Sequence, residues 1–100
     1  IELIIHDGTI VIGNNTRISR GCNIIPNNYI INDLTVTLGD QGLDCGSIII
    51  GDNVCIGVQC IILNNVTIGD NCVIRAGSVV TRDVPPLSVY AGNPAKQIKM

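Results

Sequence analysis

The segment Ile50–Val84, IGDNVCIGVQCIILNNVTIGDNCVIRAGSVVTRDV, decides the fold. A β-branched aliphatic residue returns every six positions: Ile50, Ile56, Ile62, Ile68, Ile74 and Val80. The same step runs through the N-terminal part as Ile12, Ile18, Ile24, Ile30 and Val36, and breaks in Gly39–Ser47. Four residues after most of these positions lies a small side chain, as at Thr16, Cys22, Cys60, Cys72 and Ser78. Three residues after lie Asn15, Gly21, Asn27, Asp33, Gly39, Asn53, Gln59, Asn65, Asn71, Gly77 and Asp83. All but Gln59 are Gly, Asn or Asp, the types that enter the left-handed backbone region most readily. Each hexad therefore reads as a short strand followed by a bend at positive φ.

A period of six excludes an amphipathic α-helix, whose apolar period is 3.6. It also excludes an antiparallel meander, whose turns come about every 8–12 residues. Three hexads close one triangular coil, and stacked coils place like residues above one another. The expected fold is all-β, a parallel β-helix built as a triangular prism; these residues do not derive its hand. The break at about 39–47 is expected to loop outward, because a coil cannot absorb an insertion. Residues 83–100 leave the repeat and read as a cap, so 1–100 forms one domain. The chain begins at Ile1 within an apolar run, which reads as a piece lacking an N-terminal part.

Composition narrows the function. The net charge is −2, with six Lys and Arg against eight Asp and Glu, which disfavours a nucleic-acid partner. No apolar run is long enough for a spanning helix, so no membrane partner is expected. Five cysteines without a C-x-x-C pair, and a single histidine, argue against a metal site. They read as reduced thiols in a cytoplasmic protein. Asn14-Asn15-Thr16 and Asn65-Val66-Thr67 fit the glycosylation pattern but fall at the bends, and are read as turn chemistry.

Ile50–Lys99 closely resembles the C-terminal half of the hexapeptide-repeat acyltransferases. The resemblance is carried by a last rung "AGSVVT" (Ala76–Thr81), a basic residue (Arg82), "DVPP" (Asp83–Pro86) and "AGNPAK" (Ala91–Lys96). It implies a left-handed β-helix, a homotrimer and acetyl-CoA as donor, without a metal. It places the pantetheine arm along the backbone at Ala76, Gly77 and Ser78, and the phosphates near Arg82 and Lys96. It implies O-acetylation of a small-molecule acceptor, a saccharide or a serine-like compound. Two residues depart from the family pattern: Arg75 stands where a glycine is usual, and Cys55 where a bulky aromatic is usual.

The family's base is a histidine. In the sugar and antibiotic branches it ends the third hexad, a place that falls to Tyr29 here. In the serine-acetyltransferase branch it precedes a run like H-x-x-x-I-V-V-G, which His6–Gly13 matches in spacing. His6 is thus the candidate catalytic residue, because an unperturbed tyrosine is a poor base at neutral pH. Both sites stay open at this point. So does the alternative of a non-catalytic or truncated trimer with a binding or structural role.

Overall fold

A computed structural model describes residues 2–5, 8–29, 35 and 43–99. Every regular element among them is a strand. They are β1 (Glu2–Ile5), β2 (Gly8–Ile12), β3 (Arg17–Ile18), β4 (Asn23–Ile24), β5 (Asn27–Tyr29), β6 (Leu43–Cys45) and β7 (Ser47–Ile50). There follow β8 (Cys55–Ile56), β9 (Ile61–Ile62), β10 (Thr67–Ile68), β11 (Val73–Ile74), β12 (Val79–Val80), β13 (Val89–Gly92) and β14 (Ala95–Lys99).

Strands three hexads apart pair in parallel and make the three faces of a prism. One face is β2–β7–β10, the second β3–β8–β11–β13 and the third β4–β9–β12. The fold is a left-handed parallel β-helix. Right-handed crossovers prevail between parallel strands because a long strand carries its own twist into the connection. Strands of two residues accumulate little of that twist.

Those corners are where the spacing places them. Asn15, Gly21, Asn53, Gln59, Asn65, Asn71 and Gly77 all have φ between 55° and 74°. Asn27 and Asp83, expected to join them, do not adopt positive φ, whereas Leu87 does, at 60°. Leu87 follows from the last rung being shorter: Val84 bridges Ile68, 16 positions earlier, and Leu87 stands 16 after Asn71. Along one corner the Nδ2 of Asn53 donates to Oδ1 of Asn71 at 2.7 Å, joining successive coils.

The inward columns form the core. Ile48, Ile50, Val54, Ile56, Cys60, Ile62, Val66, Ile68, Cys72, Ile74 and Val80 are each at most 1% exposed. Burying one such aliphatic side chain contributes about 1.5–3 kcal/mol. Ile10 is bulky where the repeat wants a small residue, and it pairs with Ile48, equally bulky, one coil below. At the C-terminal end β14 returns antiparallel against β13 and closes the tail as a hairpin.

The hexad count fails between Ile24 and Ile50. Ile12, Ile18 and Ile24 pair directly with Ile50, Ile56 and Ile62, so no rung lies between them. Ile30 and Val36, which continue the count, lie outside the described residues. The chain leaves the prism before Gly39: Asn27–Tyr29 already pairs antiparallel with Leu43–Cys45. Pro26 stands at the base of this excursion. Its carbonyl accepts from Gly46 N at 3.0 Å, closing the base of the excursion.

Glycine is required where coils approach most closely. A Cβ on Gly57 would lie 2.6 Å from the backbone N of Ala76. Gly57→Ala is therefore expected to destabilise the chain by about 1–3 kcal/mol, as overpacking against backbone does. Gln59→Gly is expected to raise stability by up to about 1 kcal/mol, since it removes a side chain from a left-handed residue. Urea unfolding of both variants checks the pair; equal effects on stability would contradict the corner geometry.

Candidate functional site

The site sits where the last full coil meets the returning tail. Thr81 and Arg82 follow β12; Pro94, reached through a cis Asn93–Pro94 peptide, precedes β14, which Ala95 and Lys96 open. These five residues line an open cleft of about 340 Å³. Arg82 and Lys96, singled out separately in the sequence, thus share one cleft, and both are exposed. Two cations on a concave, open surface suit an oxyanion ligand such as a phosphate. Thr81, Pro94 and Ala95 were not singled out as site residues. Their signal was only membership of the quoted tail motif.

The other expected binding residues divide. Ala76 and Gly77 occupy the exposed corner between β11 and β12, and nothing lies within 4 Å of a Cβ added at Gly77. The backbone there is open to a ligand arm. Ser78 is fully buried, and its side chain ties the structure together. Its Oγ donates to Arg75 O at 2.7 Å and accepts from Gly92 N at 3.1 Å. The hydroxyl therefore ties the last coil to the end of β13.

His6 and Asp7 lie outside the described residues. β1 and β2 flank them and pair antiparallel, with Ile5 opposite Gly8. Tyr29 ends β5, opposite Leu43. Arg75 and Cys55 are both exposed on the outer side of the β3–β8–β11 face. Among the described residues no group of three or more His, Cys, Asp or Glu side chains is placed to hold a metal ion.

The inward thiols are structural. Cys22 Sγ donates to Gly57 O and Cys60 Sγ to Arg75 O, each at 3.1 Å. Burial pushes the Cys60 thiol above its ordinary pKa, and the nearby Cys22 adds to the rise, against backbone hydrogen bonds from Ser78 and Gly77.

Residues 47–82 match the family model described as bacterial transferase hexapeptide (six repeats). The chain is a member of the hexapeptide-repeat acyltransferase family. It is 43% identical to the mitochondrial serine acetyltransferase 3 of Arabidopsis thaliana over 94% of this chain, but only 22% of that protein. The crystal structure of a maltose O-acetyltransferase from Clostridium difficile 630 superposes with a TM-score of 0.84 at 40% identity, covering 96% of this chain and 50% of that one. A galactoside acetyltransferase in complex with coenzyme A gives a TM-score of 0.83 at 38% identity, covering 96% of this chain and 47% of that one. The chain thus spans half or less of the length of each of these relatives.

Two thiol properties are testable. Cys55 is expected to react quickly with a disulfide reagent in the native protein, whereas Cys60 and Cys72 react only on unfolding. The raised pKa of Cys60 has a definite sign. Its contribution to stability is complete below the pKa of the unfolded thiol and is lost as pH rises toward the folded value. Stability should therefore fall in the alkaline range, and Cys60→Ala should flatten that fall in urea titrations. A steeper fall in the variant would contradict the assignment.

Proposed function

We propose that the protein is an acetyl-CoA-dependent O-acetyltransferase that transfers the acetyl group to a hydroxyl of a small acceptor, a saccharide or a serine-like compound. The observation that carries this reading is the cleft that Arg82 and Lys96 line together, with the open corner at Ala76–Gly77 at the start of the same rung, before β12. The cleft suits the nucleotide phosphates, and the corner suits the uncharged pantetheine arm. The backbone at Ser78 continues that path, with its buried side chain holding the rung in place. The coenzyme A bound to the galactoside acetyltransferase relative supports the same donor.

The reaction needs a base, an attacking oxygen and a leaving thiol. His6 is the proposed base: it removes the acceptor hydroxyl proton as that oxygen attacks the thioester carbonyl. The tetrahedral oxyanion then collapses and CoA departs as the thiol. Imidazole suits this step because its ordinary pKa lies near neutrality. Tyr29 in β5 marks the competing position, in the excursion rather than beside β1.

The working assembly is a homotrimer. Val73 and Ile49 are 41% and 43% exposed on two faces, and Ile61 and Val79 are half-buried on the outer side of the third. A prism this thin gains core by covering such faces with neighbouring copies. The free thiols at Cys22, Cys55, Cys60 and Cys72 favour a reducing, cytoplasmic setting.

Arg82→Ala and Lys96→Ala are each expected to weaken CoA binding about tenfold or more, the scale of one charge-assisted hydrogen bond. The melting temperature should barely change, and the loss should shrink with dephospho-CoA. Calorimetry showing no CoA binding to the unaltered chain would remove the donor assignment. His6→Ala should lower turnover about 10²–10⁴-fold without changing CoA affinity. Full activity in that variant together with a dead Tyr29→Phe would move the base to the excursion.

A further inference from the structure

The two cations of the cleft reach it by different routes. Arg82 follows β12, whose Val79 and Val80 pair with Ile61 and Ile62 of the coil below. Lys96 lies in β14, which joins its sheet through β13. The stacking of coils therefore fixes Arg82 but not Lys96. How far apart the two stand depends on how the tail turn is seated on the last coil.

Ser78 forms that seat. Its main chain belongs to the last coil: Ile61 N donates to Ser78 O at 2.9 Å, and Ser78 N to Arg75 O at 3.3 Å. Its fully buried side chain reaches across to the tail. The Oγ donates to Arg75 O at 2.7 Å and accepts from Gly92 N at 3.1 Å. Arg75 O also accepts from Cys60 Sγ at 3.1 Å, so the group to which Ser78 donates is itself held from the coil below. The coils below carry Cys22 and Cys60 in the same inward column. A thiol is a weak acceptor, whereas a hydroxyl donates and accepts well at once. Serine thus replaces cysteine in the rung where a tail N–H has to be received.

Gly92 is the pivot of the tail. It has φ of 102°, and there β13 turns back as β14, with Gly92 opposite Ala95 and Ala91 opposite Lys96. The ladder bond before it, Arg75 N to Tyr90 O at 3.0 Å, holds β13 two residues earlier. A displacement of Gly92 would carry Ala95 and Lys96 with it, while Thr81 and Arg82 stayed with β12. Those four residues line the cleft together with Pro94.

We infer that Ser78 is a positioning residue for the acetyl donor. Its hydroxyl fixes the tail turn on the last coil and so sets the spacing at which Lys96 and Arg82 reach the phosphates of CoA together. This rests on the acetyltransferase reading and adds to it the side chain that joins the two halves of the donor site. Ser78 acts through Gly92 and Lys96 and takes no part in the chemical step.

The test is calorimetry of CoA with the full chain, Ser78→Ala, Lys96→Ala and the double variant. Ser78→Ala removes both hydrogen bonds without adding volume to the column. It should weaken CoA binding about tenfold, the scale of a lost buried hydrogen bond. In the Lys96→Ala background the same change should cost less than about twofold, because the contact that Ser78 positions is already gone. Ser78→Cys, which matches the rest of the column but accepts weakly, should fall between serine and alanine. Hydrogen exchange supplies a readout independent of CoA. In Ser78→Ala the amides of Gly92 and of Ala95–Lys99 should exchange faster, and those of Ile61 and Leu63 should not.

Unchanged CoA affinity in Ser78→Ala overturns the inference and leaves the donor assignment standing. Equal weakening with and without Lys96 also overturns it, because the effect then spreads through the coil and not through the tail. Unchanged exchange at Gly92 does the same. An unaltered chain that binds no CoA sinks the donor reading and the inference with it. Circular dichroism checks folding, and if Ser78→Ala does not fold, Ser78→Cys carries the comparison with and without Lys96.

Discussion

At eight corners among the described residues one residue turns through the left-handed region, with φ near 55–74°, and the coils follow from those turns. An L-residue pays about 1–2 kcal/mol there unless it is glycine or a short amide. The corners offset this with contacts that only stacking supplies. Asn53 bonds Asn71 across coils, and Gly77 N donates to Val58 O at 2.9 Å, as Gln59 N does to Arg20 O at 3.0 Å. Corner and stack are thus one cooperative unit. A misplaced corner would rotate the following strand and move its aliphatic residue off the column.

That coupling explains how much could be read from the sequence. The aliphatic column and the Gly/Asn corner column report the same geometry independently, so seven corners and three faces were legible from spacing alone. What escaped was pairing, which spacing does not encode. Ile30 and Val36 continue the six-step count, yet Ile24 already has its partner in Ile62. The shorter last rung escaped for a similar reason: nothing in the residues 81–84 reports that Val84 returns to Ile68 two positions early. Leu87 at positive φ is the consequence, an exposed leucine in a column that elsewhere holds asparagine.

The candidate site was legible as a list and not as an arrangement. Arg82 and Lys96 were chosen for their motif, and only the return of β14 along β13 shows why they belong together. Ser78 belongs to the same motif, but its hydroxyl faces inward and links Arg75 O to Gly92 N. Its column position, small and inward like Cys22 and Cys60, was the available warning. A motif residue at an inward position supports the rung, and one at an outward position is free to meet a ligand.

The division between inward and outward positions also separates stability from specificity. Ile56 and Cys55 are neighbours in β8, yet the first is fully buried and the second exposed. Replacing Ile56 opens a cavity in a column shared with Ile18 and Ile74, with a loss of about 2–5 kcal/mol for truncation to alanine. Replacing Cys55 or Arg75 disturbs no column, because their side chains leave the prism and the ladder bonds belong to the backbone. Such a fold tolerates change on its outer faces at little expense in stability. It is therefore on those outer faces that sequence change finds room to arise.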